Sequence, residues 1–280
     1  MGIIYEYRNT GIYFHHSRDE KPIPESFEMH AHEMMEIFCF ISGNAQFLVE
    51  GNAYRLNSGD IMIMRPAEAH RMQILPDVPY ERVAIHFSSS YIDRICPGSS
   101  ERLAAFYDRR LGESNLYRPE DFSSPHIKSC LMSIAENCPS LNDPERYLAV
   151  NLISVLEEID IAFGGKRPDG RPNDQTGTAT ELSRRLVDYI NRNLYGELSV
   201  KRLSEMFFIS PAQLNRIFRG STGSSVWEYI LVKRLLEARR RIKAGEPASK
   251  VCYLCGFGDY SAFYRAYRSK FGASPKADKG

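Results

Sequence analysis

Short apolar runs broken by turn residues occupy the early part of the chain, and apolar positions three or four apart dominate the rest. Ile37 to Ile41, Ala45 to Val49 and Ile61 to Met64 have the length and composition of strands, and Ser42-Gly43-Asn44, Gly51-Asn52 and Asn57-Ser58-Gly59-Asp60 supply turns between them. Val83 to Phe87 continues the series. Closely spaced strands with Gly-rich turns predict a sandwich or barrel. From Pro125 the period becomes helical, through Ile127, Leu131, Ile134 and Ala135 and then Tyr147, Val150, Ile153, Val155, Leu156 and Ile159. One or two helices are expected there, packed on the barrel or lying at a homodimer seam.

Between Gly164 and Thr178 the residues are Gly, Pro, charged and polar, with no apolar period. Such a segment cannot bury enough surface to order itself, so residues 164–177 are read as a linker between an N-terminal unit, 1–163, and a C-terminal unit, 178–280. Charge agrees with that division. The net +1 of the chain conceals 14 Lys and Arg against 24 Asp and Glu up to Phe163, and 22 against 11 beyond it. A concentrated positive field attracts polyanions, although a merely well-solvated basic domain would show the same balance. With 280 residues, 43% of them hydrophobic and 25% charged, the chain falls in the globular class. It has no apolar run of membrane-spanning length and no secretory leader, which predicts a cytoplasmic protein with no membrane partner. Six cysteines are too sparse for a disulfide framework and are expected to be reduced.

The C-terminal unit reads as helix throughout. Leu182, Leu186, Ile190 and Leu194 recur at spacing four, and a short helix from Val200 to Phe207 follows. Ser210 and Pro211 form a favoured N-cap and first-turn pair for a third helix, Pro211 to Arg219. That helix buries Leu214, Ile217 and Phe218 and shows Ala212, Gln213, Asn215, Arg216 and Arg219. An exposed Arg/Gln/Asn face after a tight turn suits major-groove reading, because Arg bonds guanine bidentately and Asn or Gln bonds adenine. The pattern then repeats. A helix from Ser225 to Lys243 leads to a short helix, Ala248 to Leu254, a Gly256-Phe257-Gly258 turn, and a last helix from Asp259 to Phe271. Phe263, Ala266, Tyr267 and Phe271 face inward, leaving Tyr260, Ser261, Tyr264, Arg265 and Arg268 outward. The connecting helix of roughly 19 residues is about 28 Å long at 1.5 Å per residue. It would set the two outward helices about one DNA turn apart, roughly 34 Å, in successive major grooves.

This region resembles the AraC/XylS transcription regulators, whose DNA-binding domain has two helix-turn-helix units joined by a long helix. The resemblance runs through Ser210, Leu214, Arg216, Phe218, Gly223, Tyr229-Ile230, Arg234-Leu235 and Ala238, and on through Gly256-Phe257, Asp259, Ser261, Phe263, Arg265, Tyr267-Arg268, Gly272 and Ser274-Pro275. Arg241 stands where the family usually has Leu, Cys252 where it has a small Ala, and the Tyr-Arg after the final Pro is missing. The resemblance implies that Ala212, Asn215 and Arg216 face bases from the first recognition helix, and Tyr260, Ser261, Tyr264 and Arg265 from the second. Taken singly, any one of these Arg residues more often meets a phosphate than a base.

In the N-terminal unit His30-x-His32-x-x-x-Glu36 followed by Gly43 resembles the first motif of the cupin barrels. Gly59, Pro66 and His70 resemble the second, with irregular spacing and Glu68 in place of Gly. In metal-binding cupins such residues converge inside the barrel. His30, His32, Glu36 and His70 would then hold Zn, Mn, Fe or Ni, the ions that suit imidazole and carboxylate ligands. In regulators of this family the His and Glu of the cupin-like domain commonly bind a small organic effector, a sugar among the candidates, or stay as barrel polar groups; the effector pocket is the favoured reading of the four residues. Phe38, Phe40, Phe47 and Tyr54 are candidate pocket or core aromatics, and His15 and His16 are expected at the surface. Cys252-x-x-Cys255 lies on a short helix with no second Cys/His pair, so core packing accounts for it better than zinc or redox chemistry.

The sequence therefore predicts an α+β multidomain protein: an N-terminal cupin-like β-barrel with flanking helices and a C-terminal all-α double helix-turn-helix unit. Its expected role is that of a transcription regulator, not an enzyme, that binds double-stranded promoter DNA as a homodimer under control of a small molecule. RNA polymerase is a partner if it activates. The competing class is a metal-dependent cupin enzyme carrying a DNA-binding appendage.

Overall fold

The computed structural model describes residues 2–23, 27–74, 78–99, 103–123, 126–165 and 178–279. Its strands are β1 (Gly2–Asn9), β2 (Ile12–Asp19), β3 (Met35–Ser42), β4 (Ala45–Val49), β5 (Asn52–Arg55), β6 (Ile61–Met64), β7 (His70–Ile74), β8 (Tyr80–Phe87) and β9 (Leu116–Tyr117). The helices are α1 (Ser89–Ile95), α2 (Ala104–Tyr107), α3 (His126–Asn137), α4 (Pro144–Gly165), α5 (Thr178–Arg192), α6 (Val200–Met206), α7 (Pro211–Thr222), α8 (Val226–Lys243), α9 (Ala248–Leu254) and α10 (Tyr260–Phe271). Most of the expected linker, residues 166–177, and Pro125 lie outside the described residues.

The strands form two antiparallel sheets, β1-β2-β8-β3-β6-β9 and β5-β4-β7. Strand alternation gives the larger sheet two apolar faces. Phe38, Phe40, Met62 and Met64 turn toward Phe47, Val49 and Tyr54 of the smaller sheet and fill the space between them. Ile37, Cys39, Ile61 and Ile85 turn the other way and meet Leu131, Ile134, Leu148 and Leu152 of α3 and α4. Most of the apolar stripe on these helices is thus buried against the sheet. Val150 and Ile161, 63% and 57% exposed, remain on the outer face of α4.

The expected strands are all present, and five further ones join them, the two-residue β9 among them. β1 is mostly exposed at the sheet edge, and β2 carries Ser, His and Arg among its apolar residues, so neither presents an apolar run. β5 and β7 are short and alternate apolar with polar side chains.

In the helical half, Ser199, Ser210 and Asp259 each accept hydrogen bonds from first-turn amides, and Ser225 with Glu228 forms a capping box on α8. Arg234 of α8 donates to the carbonyls of Leu194, Gly196 and Gly256 at 2.8, 2.7 and 2.6 Å, tying the segment after α5 to the turn of the second helix-turn-helix. The two helix-turn-helix units share a left-handed residue after their first helix but fill it differently. The residue after the cap of α9 is Gly256, at φ +80°; its counterpart after α6 is Phe208, at φ +55° and 95% exposed. Arg241, departing from the family pattern, pairs with Glu237 and Glu246, whereas Cys252 and Cys255 are fully buried in the α8–α10 core as unpaired thiols.

Candidate effector pocket and nucleic-acid interface

A cavity of about 220 Å³ lies between the two sheets. β3 contributes Glu36 and Phe38, β4 Phe47, β7 His70 and Met72, and β8 Arg82 and His86; Phe27, Glu28 and His30 close one side. Phe47 and Phe38 stand T-shaped at 5.0 Å, and the Arg82 guanidinium lies over Phe27 and Tyr80. Of the four candidate aromatics, Phe38 and Phe47 line the cavity, whereas Phe40 and Tyr54 belong to the core, where the Tyr54 hydroxyl donates to Gly112 O at 2.5 Å.

His30, His32, Glu36 and His70 do come together. His30 and His70 pair across an antiparallel bridge with rings 4.3 Å apart, and His32 packs 5.0 Å from His70. The carboxylate of Glu36 is their common focus. Its Oε2 lies 3.0 Å from His32 Nε2, 3.2 Å from His70 Nε2 and 3.5 Å from His86 Nε2. Those imidazoles hold Glu36 well below the usual carboxylate range despite its complete burial. Burial opposes a charged His70, but the Glu36 carboxylate outweighs it and raises that imidazole. His32, by contrast, is lowered by burial.

Two histidines require correction. His15 and His16 are buried, not at the surface, because β2 lies between β1 and β8 and is covered on both sides. His15 lines the cavity and burial pushes it down to about 3, so it is neutral; His16 meets Glu81 at 2.7 Å. His86 was not singled out from sequence. It is the cross-strand partner of Glu36 and stands between Ile85 and Phe87, so a lone polar residue at alternate position in an apolar strand was the available signal.

The ring nitrogens test whether this set suits a metal. Nδ1 of His30, His32 and His70 donate to the carbonyls of Glu28, Met34 and Glu68 at 3.0, 2.8 and 2.8 Å. A carbonyl only accepts, so each Nδ1 carries the hydrogen and a neutral ring turns the Nε2 lone pair toward the cluster. A neutral His32 would turn that lone pair on an acceptor-only carboxylate at 3.0 Å, a contact that either a proton on Nε2 or a cation between the two groups satisfies. Two groups, His30/His32/His70 and His32/Glu36/His86, have ligand atoms close enough to share an ion. Bonds of about 2.1 Å give octahedral ligand edges of about 3.0 Å, so the donor separations suit a divalent ion, and the carbonyl-anchored Nδ1 groups are the usual support for such ligands.

Glu68, in place of the motif's Gly, has its own role. It is fully buried and accepts from both Arg109 guanidinium nitrogens at 2.7 Å, from Gly112 N at 2.8 Å, from Arg65 N at 3.0 Å and from Asn115 Nδ2 at 3.1 Å. Its backbone carbonyl is the one that orients His70.

On the helical half, Ala212, Gln213, Arg216 and Arg219 of α7 are exposed, and Asn215 is half-buried with its Nδ2 donating to Pro211 O at 3.3 Å. On α10, Tyr260, Ser261, Arg265 and Arg268 are exposed and Tyr264 is half-buried. Eighteen residues of α8 separate the two helices, a span of about 27 Å at 1.5 Å per residue. No helix of the described residues is long and apolar enough to cross a membrane.

Residues 18–140 match the family model for an AraC-like ligand binding domain, and residues 203–279 match one for a helix-turn-helix domain. The HTH-type transcriptional activator RhaS of Yersinia pestis (strain Pestoides F) is 24% identical over 259 residues, covering 92% of this chain and 91% of that one. Among solved structures, ToxT from Vibrio cholerae is similar over 95% of this chain and 97% of its own at 15% identity, with a TM-score of 0.42. The C-terminal domain of AraT, a response regulator from Geobacillus stearothermophilus, covers 37% of this chain and 87% of its own at 20% identity, with a TM-score of 0.35. With the barrel cavity in one half and paired helix-turn-helix units in the other, the chain belongs to the AraC/XylS family of DNA-binding transcription regulators with an N-terminal ligand-binding domain.

Proposed function

We propose that the chain is a cytoplasmic one-component regulator in which a small effector enters the cavity beside His30, His32, Glu36 and His70 and alters binding to promoter DNA. The observation that carries this reading is the convergence of polar groups on a cavity between the two sheets of the domain that matches the ligand-binding family. A cavity of 150 Å³ holds benzene, so by the same measure about 220 Å³ accommodates roughly nine non-hydrogen atoms, the size of a small metabolite. Arg216 and Arg265 read base edges, while Ala212, Gln213, Asn215, Arg219, Tyr260, Ser261, Tyr264 and Arg268 complete the two groove-facing surfaces. Two copies pair through the outer face of α4, where Val150 and Ile161 are exposed, and RNA polymerase is the further partner in activation. A thermal-shift screen of sugars and small metabolites against the full chain tests the effector, since a ligand bound only to the folded state raises its stability. Sedimentation of a Val150→Glu variant as a monomer, beside a dimeric parent, tests the assembly.

The grouping of imidazole and carboxylate ligand atoms within reach of one another supports a second reading, a divalent ion held by His30, His32, Glu36 and His70, with His86 beside them. Its chemistry would be Lewis-acid polarisation of a bound ligand. Elemental analysis of untagged protein decides it: a stoichiometric metal that His32→Ala removes supports the ion, and a metal-free protein that still binds its effector rejects it.

A further inference from the structure

The wall that carries the pocket imidazoles has two faces. His30 N donates to His70 O at 3.0 Å and His70 N to His30 O at 2.9 Å, joining the two segments by backbone alone. His30 and His70 line the cavity, whereas the alternating neighbours Ala31 and Ala69 are buried on the other side, in a cluster with Leu186 and Ile190 of α5 and Tyr229 of α8. The cavity and the helices α5 and α8 therefore lie on opposite faces of one bridge.

A buried carboxylate fixes that contact. Glu50 at the end of β4 accepts from Ala69 N at 2.6 Å, and its own amide donates to Ala69 O at 2.9 Å. The same carboxylate accepts from Asn191 Nδ2 of α5 at 2.9 Å, from Lys233 Nζ of α8 at 2.8 Å and from the Tyr229 hydroxyl. Lys233 Nζ also donates to Ala67 O at 2.6 Å. Both charged side chains are sequestered, Lys233 at 6% and Glu50 at 1% exposure. Moving one partner away while the other stays buried would leave an uncompensated charge, so Glu50 and Lys233 hold the two units together. Next to His70, Arg71 lies against Gly223, the cap of α7; a Cβ added there would come within 2.6 Å of its Nη1.

We propose that the His30–His70 bridge, held by Glu50 to Tyr229 and Lys233, transmits occupancy of the cavity to the pose of α7 and α8. This rests on the reading of the cavity as an effector site. Packed interfaces have discrete arrangements and do not deform continuously, so a small shift of the bridge re-seats α8, and with it both recognition helices. The recognition face of α7 is exposed in the docked arrangement, so what changes is orientation and not access.

The test needs no effector. Phe47→Trp enlarges a side chain that lines the cavity from the smaller sheet and so takes up part of its volume; Tyr229→Phe removes one hydroxyl from the carboxylate and leaves the fold. Affinity of the full chain is measured for a duplex it selects from random sequence, in the parent, each single variant and the double, with thermal melting to show that each is folded. Transmission predicts that Phe47→Trp changes affinity at least five-fold with Tyr229 present and less than two-fold in the Tyr229→Phe background, the lower end of ordinary coupling between sites. An equal change in both backgrounds, or none in either, overturns it. Met72→Phe replaces Phe47→Trp if the latter does not fold. A thermal-shift screen that finds no ligand bears only on the effector reading, because this cycle runs without one.

Discussion

Replacing Glu68 by Ala removes the acceptor that five donors share at the end of the barrel. Arg109 is left as a guanidinium only 2% exposed with its countercharge gone. Removing one partner of a buried pair costs about 3 to 5 kcal/mol, against a total domain stability of about 5 to 15 kcal/mol. For a domain of 150 residues or more, where each kcal/mol shifts Tm by about 2 to 4 °C, the expected fall is roughly 6 to 20 °C. The pH dependence identifies the cause. Burial raises the Glu68 carboxyl, but the Arg109 charge and the amide donors outweigh it and hold it below its usual value. A carboxyl depressed in the folded state stabilises the fold fully above its unfolded value of about 4.3, and this is lost as pH falls through the folded value. Glu68→Gln retains some hydrogen bonds but not the charge, so its stability deficit is largest near neutral pH and shrinks toward pH 3. Thermal melts of parent and variants from pH 3 to 8 measure both quantities. A loss under 1 kcal/mol for Glu68→Ala, or a Glu68→Gln deficit that does not change with pH, refutes the reasoning.

Three further outcomes are expected. Arg216→Ala and Arg265→Ala each cost about 1 to 3 kcal/mol on a selected duplex and much less on random DNA, by fluorescence anisotropy; equal losses on both would assign them to phosphate. Phe208→Gly relieves about 1 to 2 kcal/mol of left-handed backbone cost, offset by the extra freedom of Gly in the unfolded chain, for a net gain of about 0.5 to 1 kcal/mol seen in the melt of the helical half. His15 is buried with its folded value near 3, so the unfolded chain takes up a proton below about pH 6.5 that the barrel refuses. Stability falls from pH 6.5 downward, and His15→Phe flattens that slope in urea titrations.

The helical half was legible almost residue by residue because its signals are local. Ser210-Pro211, Ser225 with Glu228, Asp259 and Gly272 are caps whose chemistry acts within one turn, and the observed helices begin and end at them. The pocket was half legible. His30, His32, Glu36 and His70 carry a recognisable spacing, but His15 and His86 join them only because β2, β8 and β3 are sheet neighbours, a relation with no trace in residue order. Glu68 read as a defect of a motif, and its five donors come from segments up to 47 positions away. The Glu50 contact spans 179 and 183 positions to Tyr229 and Lys233, and nothing along the chain marks it.

The central claim is that occupancy of this cavity changes how the chain holds DNA. Titrating the selected duplex against the full chain, with and without a saturating compound from the thermal-shift screen, tests it most directly when parent and Phe47→Trp are compared. The account predicts a shift in affinity of at least five-fold in the parent and none in the filled variant. An equal shift in both would place the effector elsewhere in the molecule and contradict the account.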